Sequence, residues 1–243
     1  MKIQIKSIEE YEAVLNEARN LRLANGRPFV TVSYAQSLDG SIATANRQQM
    51  SLSGDASMHL THRLRALNRC ILVGIGTVLA DNPSLTTRLV DGDNPQPVIL
   101  DTRLRTPPDA NLVTRSDLST WIVNGNHSAG KRPDVLRRKG ASLISCPCTD
   151  DGLIDLGALM QELANRQVDS LMVEGGARVI TSFIRWKLVD LFVVTVAPKL
   201  VGGLSVIDTG SFDSTASLQL DDEHYQRLGK DLIIWARPNW GET

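Results

Sequence analysis

Three stretches of this chain combine residue types that could hold or transform a polar ligand. Glu174-Gly175-Gly176 directly follows the apolar run Leu171-Met172-Val173. Paired glycines let the backbone approach a ligand, and a helix starting near Ala177 would aim its free N–H groups at the same spot. A pyrophosphate suits such a cradle, and Glu174, a carboxylate at a strand end, could orient or protonate a substrate. A second stretch opens as Gly74-Ile75-Gly76 after a strand, but the third glycine of a dinucleotide fingerprint falls at Leu79, which argues against an ordinary Rossmann site. It continues as a short helix, then Asp81 in an acidic turn before Pro83, then Thr86-Thr87-Arg88, whose hydroxyls and guanidinium match phosphate oxygens. A third, Ala35 to Gly40, carries the turn signal Asp39-Gly40. Each alone reads as plainly as a turn or a solvated loop. Together they suggest a phosphorylated substrate beside a nucleotide cofactor.

The elements around these stretches must bring them together. Ser7-Ile8-Glu9-Glu10 reads as a capping box, with Ile8, Tyr11, Val14, Leu15 and Ala18 on one face of the helix that follows, closed by Gly26 and Pro28. Residues 1–26 are therefore expected as a helical N-terminal extension, and residues 27–243 as one domain. Phe29 to Tyr34 alternates as a strand, and strand and helix patterns then succeed one another. The helices are expected at Asp55–Leu67, Arg132–Lys139, Leu156–Asn165 and Ala177–Trp186, and the strands at Cys70–Val73, Pro97–Leu100, Thr120–Val123, Ala141–Ser145 and Ser170–Val173. Two late strands, Leu191–Ala197 and Leu232–Ala236, are separated only by loop-like polar sequence. The expectation is an α/β fold: a mainly parallel central sheet with helices on both faces and an antiparallel C-terminal edge. In such sheets ligands bind beyond the carboxyl ends of the strands, where the three stretches fall.

Composition narrows the class. Among 243 residues, 26 Lys and Arg against 27 Asp and Glu give a formal net charge of −1, which argues against a nucleic-acid or membrane-surface binder. The longest apolar stretch, Leu191 to Pro198, is far short of the ~20 residues of a membrane span. Three cysteines make no disulfide framework and read as reduced thiols of a cytoplasmic protein. His59 and His62 could share a helix face, but no third ligand stands near them, so no metal is expected.

The chain resembles the pyrimidine reductases of riboflavin biosynthesis, which have a dihydrofolate-reductase-like fold. The matching blocks are Arg27-Pro28-Phe29-Val30, Ser37 to Ala43, Val73 to Thr86, Val98 to Arg103, Glu174-Gly175-Gly176, Leu188-Val189-Asp190 and Ala197 to Gly203, in family order. The resemblance implies NADPH-dependent reduction of the ribosyl group of a ribosylamino-pyrimidine 5′-phosphate, and a homodimer. Position by position, Gln49, Arg65, Leu85, Arg88 and Glu174 fall at substrate-holding positions, with both arginines assigned to the 5′-phosphate. Ala35, Ser51, Thr77, Asp81, Thr102 and the run Gly176, Ala177, Arg178, Val179, Ile180, Thr181 and Ser182 fall at cofactor-contacting positions. Asp81 and Glu174 are the expected catalytic pair, and Thr102 with Arg103 would read the 2′-phosphate. The chain departs from the bifunctional bacterial enzymes at Ser33, where they commonly carry lysine, and at Ser51-Leu52-Ser53, where Trp-Ile-Thr/Ser is usual. Tyr34 to Asp39 looks more like the stand-alone reductases, which act before deamination, so the diamino-pyrimidinone and the aminouracil both stay open as substrates. The zinc deaminase signature is absent, and deamination is expected of a separate protein. Two other readings are a dihydrofolate-reductase-like oxidoreductase acting on a different substrate, and a catalytically silent nucleotide-binding protein.

Overall fold

The computed structural model describes residues 4–46, 48, 50–126, 131–208 and 217–241. Its centre is a nine-stranded sheet built from β1 (Phe29–Ser37), β3 (Cys70–Gly74), β4 (Gln96–Leu100), β5 (Trp121–Gly125), β6 (Ser142–Cys146), β7 (Ser170–Gly175), β8 (Leu191–Ala197), β10 (Gln219–Leu228) and β11 (Asp231–Asn239). The spatial order is β10-β11-β8-β1-β7-β3-β4-β5-β6. From β8 through β1 to β6 every pairing is parallel, whereas β11 runs antiparallel to β8 and to β10. The expected parallel sheet with an antiparallel C-terminal edge is what forms. A two-stranded ribbon, β2 (Ser41–Ala43) with β9 (Leu204–Ser205), lies beside it.

Side chains alternate along a strand, so each buried strand feeds two cores. Ile71, Val73, Met172, Leu191 and Val193 point into one core, shared with α1 (Ile8–Asn16), α3 (Asp55–Leu67), α4 (Ile75–Asp81), α5 (Asn111–Thr114) and α6 (Arg132–Arg138). Cys70, Leu72, Leu171, Val173, Phe192 and Val194 point into the other, covered by α7 (Leu156–Asn165) and α8 (Ala177–Arg185). Strands buried on both faces read as the near-continuous apolar runs seen in the sequence.

The described residues from Ile5 onward pack into the first core. Ser7 caps α1 by accepting from Glu10 N–H, and Ile5, Ile8, Tyr11 and Val14 are buried in the first core. Tyr11 Oη bonds to Thr31 Oγ1 at 2.9 Å and accepts from Asn68 Nδ2 at 2.7 Å, while its ring lies 6.1 Å from that of Trp235. A second helix, α2 (Ala18–Asn25), ends at Gly26 in the left-handed conformation that glycine adopts without steric cost.

The strand β10 departs from expectation. Gln219 to Leu228 reads as polar loop, yet it pairs with β11 along its length, with an irregularity between Asp221 and His224. None of its residues is buried, so packing imposed no apolar alternation on its sequence.

Candidate active site

The carboxyl ends of β1, β3, β4 and β7 open into one cleft of about 2320 Å³, walled by the segment before α3, the first turns of α4 and α8, and the β2–β9 ribbon. At its centre stands Glu174. Leu72 pairs with Val173 and Val73 with Gly175, so Glu174 is the extra residue of a bulge, a device that re-aims a side chain at a strand end. Its carboxylate meets Arg65 of α3 face to face: Arg65 Nε donates to Oε1 at 2.6 Å and Nη2 to Oε2 at 2.8 Å. The third guanidinium nitrogen, Nη1, donates to the Thr86 carbonyl at 3.0 Å. Burial works against the charge on Arg65, but the Glu174 carboxylate more than offsets it, so the group sits above its ordinary value. Arg65, expected as a phosphate anchor, is thus engaged by Glu174 and Thr86.

The cradle of glycines is present. Gly175 has φ of +118°, and a Cβ on Gly176 would stand 3.3 Å from Thr77 Oγ1, tight enough that the Thr77 side chain would have to give by a few tenths of an ångström. Gly176 is the N-cap of α8, and no side chain caps that helix. Its free N–H groups and dipole favour an anion there. Gly176, Ala177, Arg178, Val179, Ile180 and Ser182 line the cleft. Thr181 does not: it is buried, and its Oγ1 accepts from Asp208 N–H at 2.9 Å.

Asp81, the last residue of α4, faces the cleft, and burial raises its carboxyl above the ordinary carboxylate range. It has no hydrogen-bond partner among the described residues. Ala35, Ser51, Thr77 and Thr102 also line the cleft, with Arg103 and Arg105 beside Thr102. That basic loop is braced from two sides. Asp101 Oδ2 accepts from Thr106 N–H and Oγ1, each at 2.7 Å, and Arg132 donates to the Leu104, Arg105 and Thr106 carbonyls.

Leu85 and Arg88 lie just outside the cleft, on the segment that Arg65 grips. Leu85 is buried with φ of +53°, and Arg88 is exposed, its guanidinium without an ion-pair partner among the described residues. Gln49 lies outside the described residues. Among the described residues no metal-ligating cluster occurs, and no helix is long and apolar enough to cross a membrane.

Two features escaped the sequence reading. Asp39 is a clamp rather than a simple turn residue: its carboxylate accepts from Ser37 Oγ at 2.5 Å, Gly202 N–H at 2.6 Å and Val201 N–H at 3.1 Å, and these donors, Ser37 foremost, hold it well below its usual range. Lys199 Nζ donates to Ser51 O at 2.6 Å, tying that clamped loop to the cleft wall. The sequence signal was only the pairing of two distant Gly-containing blocks, which no spacing rule connects. The second is the buried His62, whose Nδ1 accepts from Arg88 N–H at 3.1 Å.

A family model described as the RibD C-terminal domain matches residues 28–234. The chain is 34% identical over 215 residues to the 2,5-diamino-6-ribosylamino-4(3H)-pyrimidinone 5′-phosphate reductase of Methanothermobacter thermautotrophicus, covering 86% of this chain and 97% of that one. It is 30% identical over 237 residues to the riboflavin biosynthesis protein RibD of Aquifex aeolicus, covering 97% of this chain but spanning only 65% of that protein. Among solved structures, the riboflavin biosynthesis reductase Rib7 of Saccharomyces cerevisia superposes with a TM-score of 0.72 at 26% identity, over 95% of this chain and 100% of that one. With that match over most of its length and a site formed by the matched blocks, the chain belongs to the RibD C-terminal domain family.

Proposed function

We propose that this protein is a reductase of riboflavin biosynthesis that uses NADPH to convert the ribosyl group of a ribosylamino-pyrimidine 5′-phosphate into a ribityl chain. The observation that carries the reading is one cleft holding an uncapped helix N-terminus in a glycine cradle, an unpartnered carboxyl of raised affinity for protons, and the Arg65–Glu174 pair. The names of relatives matched over nearly their whole length support the substrate class.

The residues fit a reduced nicotinamide dinucleotide. The N-terminal turn of α8 from Gly176 would hold the pyrophosphate, and Thr102 with Arg103 the 2′-phosphate that distinguishes NADPH. Ala35, Ser51 and Thr77 would line its remaining length. When bound, it supplies the hydride.

The protein's own task is positioning and proton handling. Opening the sugar ring moves a proton from the exocyclic nitrogen to the ring oxygen and leaves an imine at C1′. Reduction there adds a hydride to carbon and a proton to nitrogen, so one proton is consumed overall. Asp81 is suited to donate it, because a carboxyl kept from water holds its proton to higher pH. Glu174, both of whose oxygens already accept from Arg65, acts as an acceptor that orients N–H groups of the pyrimidine. Arg88 takes the 5′-phosphate. The resemblance also carries a homodimer and a cytoplasmic setting into the proposal.

Following NADPH oxidation with the diamino-pyrimidinone and the aminouracil ribosyl phosphates tests reaction and substrate together. Turnover of at least one is expected, and turnover of neither, with NADPH still bound, would overturn the reading in favour of an oxidoreductase with a different substrate or a nucleotide-binding protein.

A further inference from the structure

The segment that carries Arg88 is held by side chains instead of a neighbouring strand. Thr86 C=O accepts from Arg65 Nη1 at 3.0 Å, Thr87 N–H donates to Asn94 Oδ1 at 2.7 Å, and Arg88 N–H donates to His62 Nδ1 at 3.1 Å. Two of the three holders, His62 and Arg65, stand three residues apart on α3 and so share one face of that helix. His62 is 0% exposed, and its Nε2 has no hydrogen-bond partner among the described residues.

An imidazole whose Nδ1 accepts is neutral and carries its proton on Nε2. Here that proton is buried without an acceptor, which costs more than a typical hydrogen bond returns. An apolar side chain of similar size would fill the space without that cost. Packing alone therefore does not account for a histidine, and among the described residues the one polar contact the ring makes is to the Arg88 amide. Burial, with the positive charges of Arg65 and Arg88, lowers the imidazole to about 4 against the opposing pull of Glu174, and His59 adds to the lowering. Nδ1 thus stays an acceptor throughout the neutral range.

We propose that His62 is a positioning residue for the anionic end of the substrate. It fixes the backbone of Arg88 so that the unpaired guanidinium is presented in one direction. From the same helix face Arg65 fixes Thr86 and Glu174, so the distance between the phosphate anchor and the carboxylate at the cleft centre is set by two side chains of α3. The proposal rests on the phosphate role given to Arg88 above.

The test compares H62L, H62N and R88A with the parent enzyme, using the phosphorylated substrate, its 5′-dephosphorylated analogue, and hydrogen exchange at the Arg88 amide in the free protein. H62L should raise KM for the phosphorylated substrate about fivefold or more, the equivalent of one ordinary hydrogen bond, with kcat within about twofold. It should leave KM for the dephosphorylated analogue unchanged and speed exchange at Arg88 about tenfold. H62N, whose amide oxygen can occupy the place of Nδ1, should recover most of both effects. Unchanged exchange at Arg88 in H62L, or an equal rise in KM for both substrates, would overturn the proposal. If R88A leaves KM unmoved, the phosphate reading falls instead, and the exchange rates still decide whether His62 fixes the segment.

Discussion

Three side chains carry the proposed chemistry, and each fails differently when changed. Arg88→Ala removes a charge-assisted bond of about 1.5–3 kcal/mol, so KM for the phosphorylated substrate should rise about 10- to 150-fold while NADPH binding holds, as steady-state kinetics and cofactor titration would show. Asp81→Asn removes the proton donor. In the parent, kcat should fall as pH rises through the raised titration of Asp81; the variant should lose that limb, with kcat lowered about 10²-fold or more at neutral pH. Glu174→Gln keeps the shape but leaves the largely buried Arg65 guanidinium without its counter-charge, exposures being 10% and 14%. Urea denaturation should show a loss of about 3 kcal/mol, and kcat should drop further than cofactor affinity. Of these residues the sequence identified the types and the blocks. It did not show that Arg65 and Glu174, 109 positions apart, are partners, because the bulge that turns Glu174 toward α3 leaves no trace in spacing.

The element on which the site depends most is α3. Its limits, Asp55 to Leu67, are those that the apolar spacing of Leu60, Leu64 and Leu67 predicts. What anchors its start was not legible. Gly54, the N-cap, has no side chain to offer, and its own N–H donates at 2.8 Å to Asp231 of β11, 177 positions away. Asp231→Ala should therefore cost about 1 kcal/mol in thermal or chemical denaturation and should also raise KM for substrate, since α3 carries both His62 and Arg65. The same helix has an acid-sensitive point. His62 is lowered to about 4, so between its ordinary value of 6.5 and about 4 the unfolded chain binds a proton that the folded one refuses. Stability associated with His62 is complete above that window and is lost as pH falls through it, and Tm measured from pH 7 to pH 4 should fall less steeply in H62L. Elements buried on both faces, such as β3 and β7, declared themselves as apolar runs. The strand β10 did not, since it pairs with β11 while none of its residues is buried.

At the scale of the molecule, the doubly covered sheet does what such sheets do: it gathers strand ends from distant parts of the chain into one opening. The order β8-β1-β7-β3-β4 was beyond the sequence, because parallel pairing leaves no local signature of which strands are neighbours. The β2–β9 ribbon along the cleft is fixed by backbone contact as much as by the Asp39 clamp. A Cβ on Gly203 would stand 2.0 Å from the Ala43 carbonyl oxygen, so Gly203→Ala must push the ribbon from its seat. Both Tm and kcat/KM should fall, whereas the same change at Gly76, where a Cβ meets no protein atom within 4 Å, should not lower Tm. The core also joins the two ends of the described chain, since Tyr11 of α1 lies against Trp235 of β11 and bonds to Thr31 and Asn68. The face of α1 is therefore complete only when β11 is in place beside α3 and β1. The family model's match, 28 to 234, leaves out both Tyr11 and Trp235. A chain trimmed to that match would lose both halves of that closure.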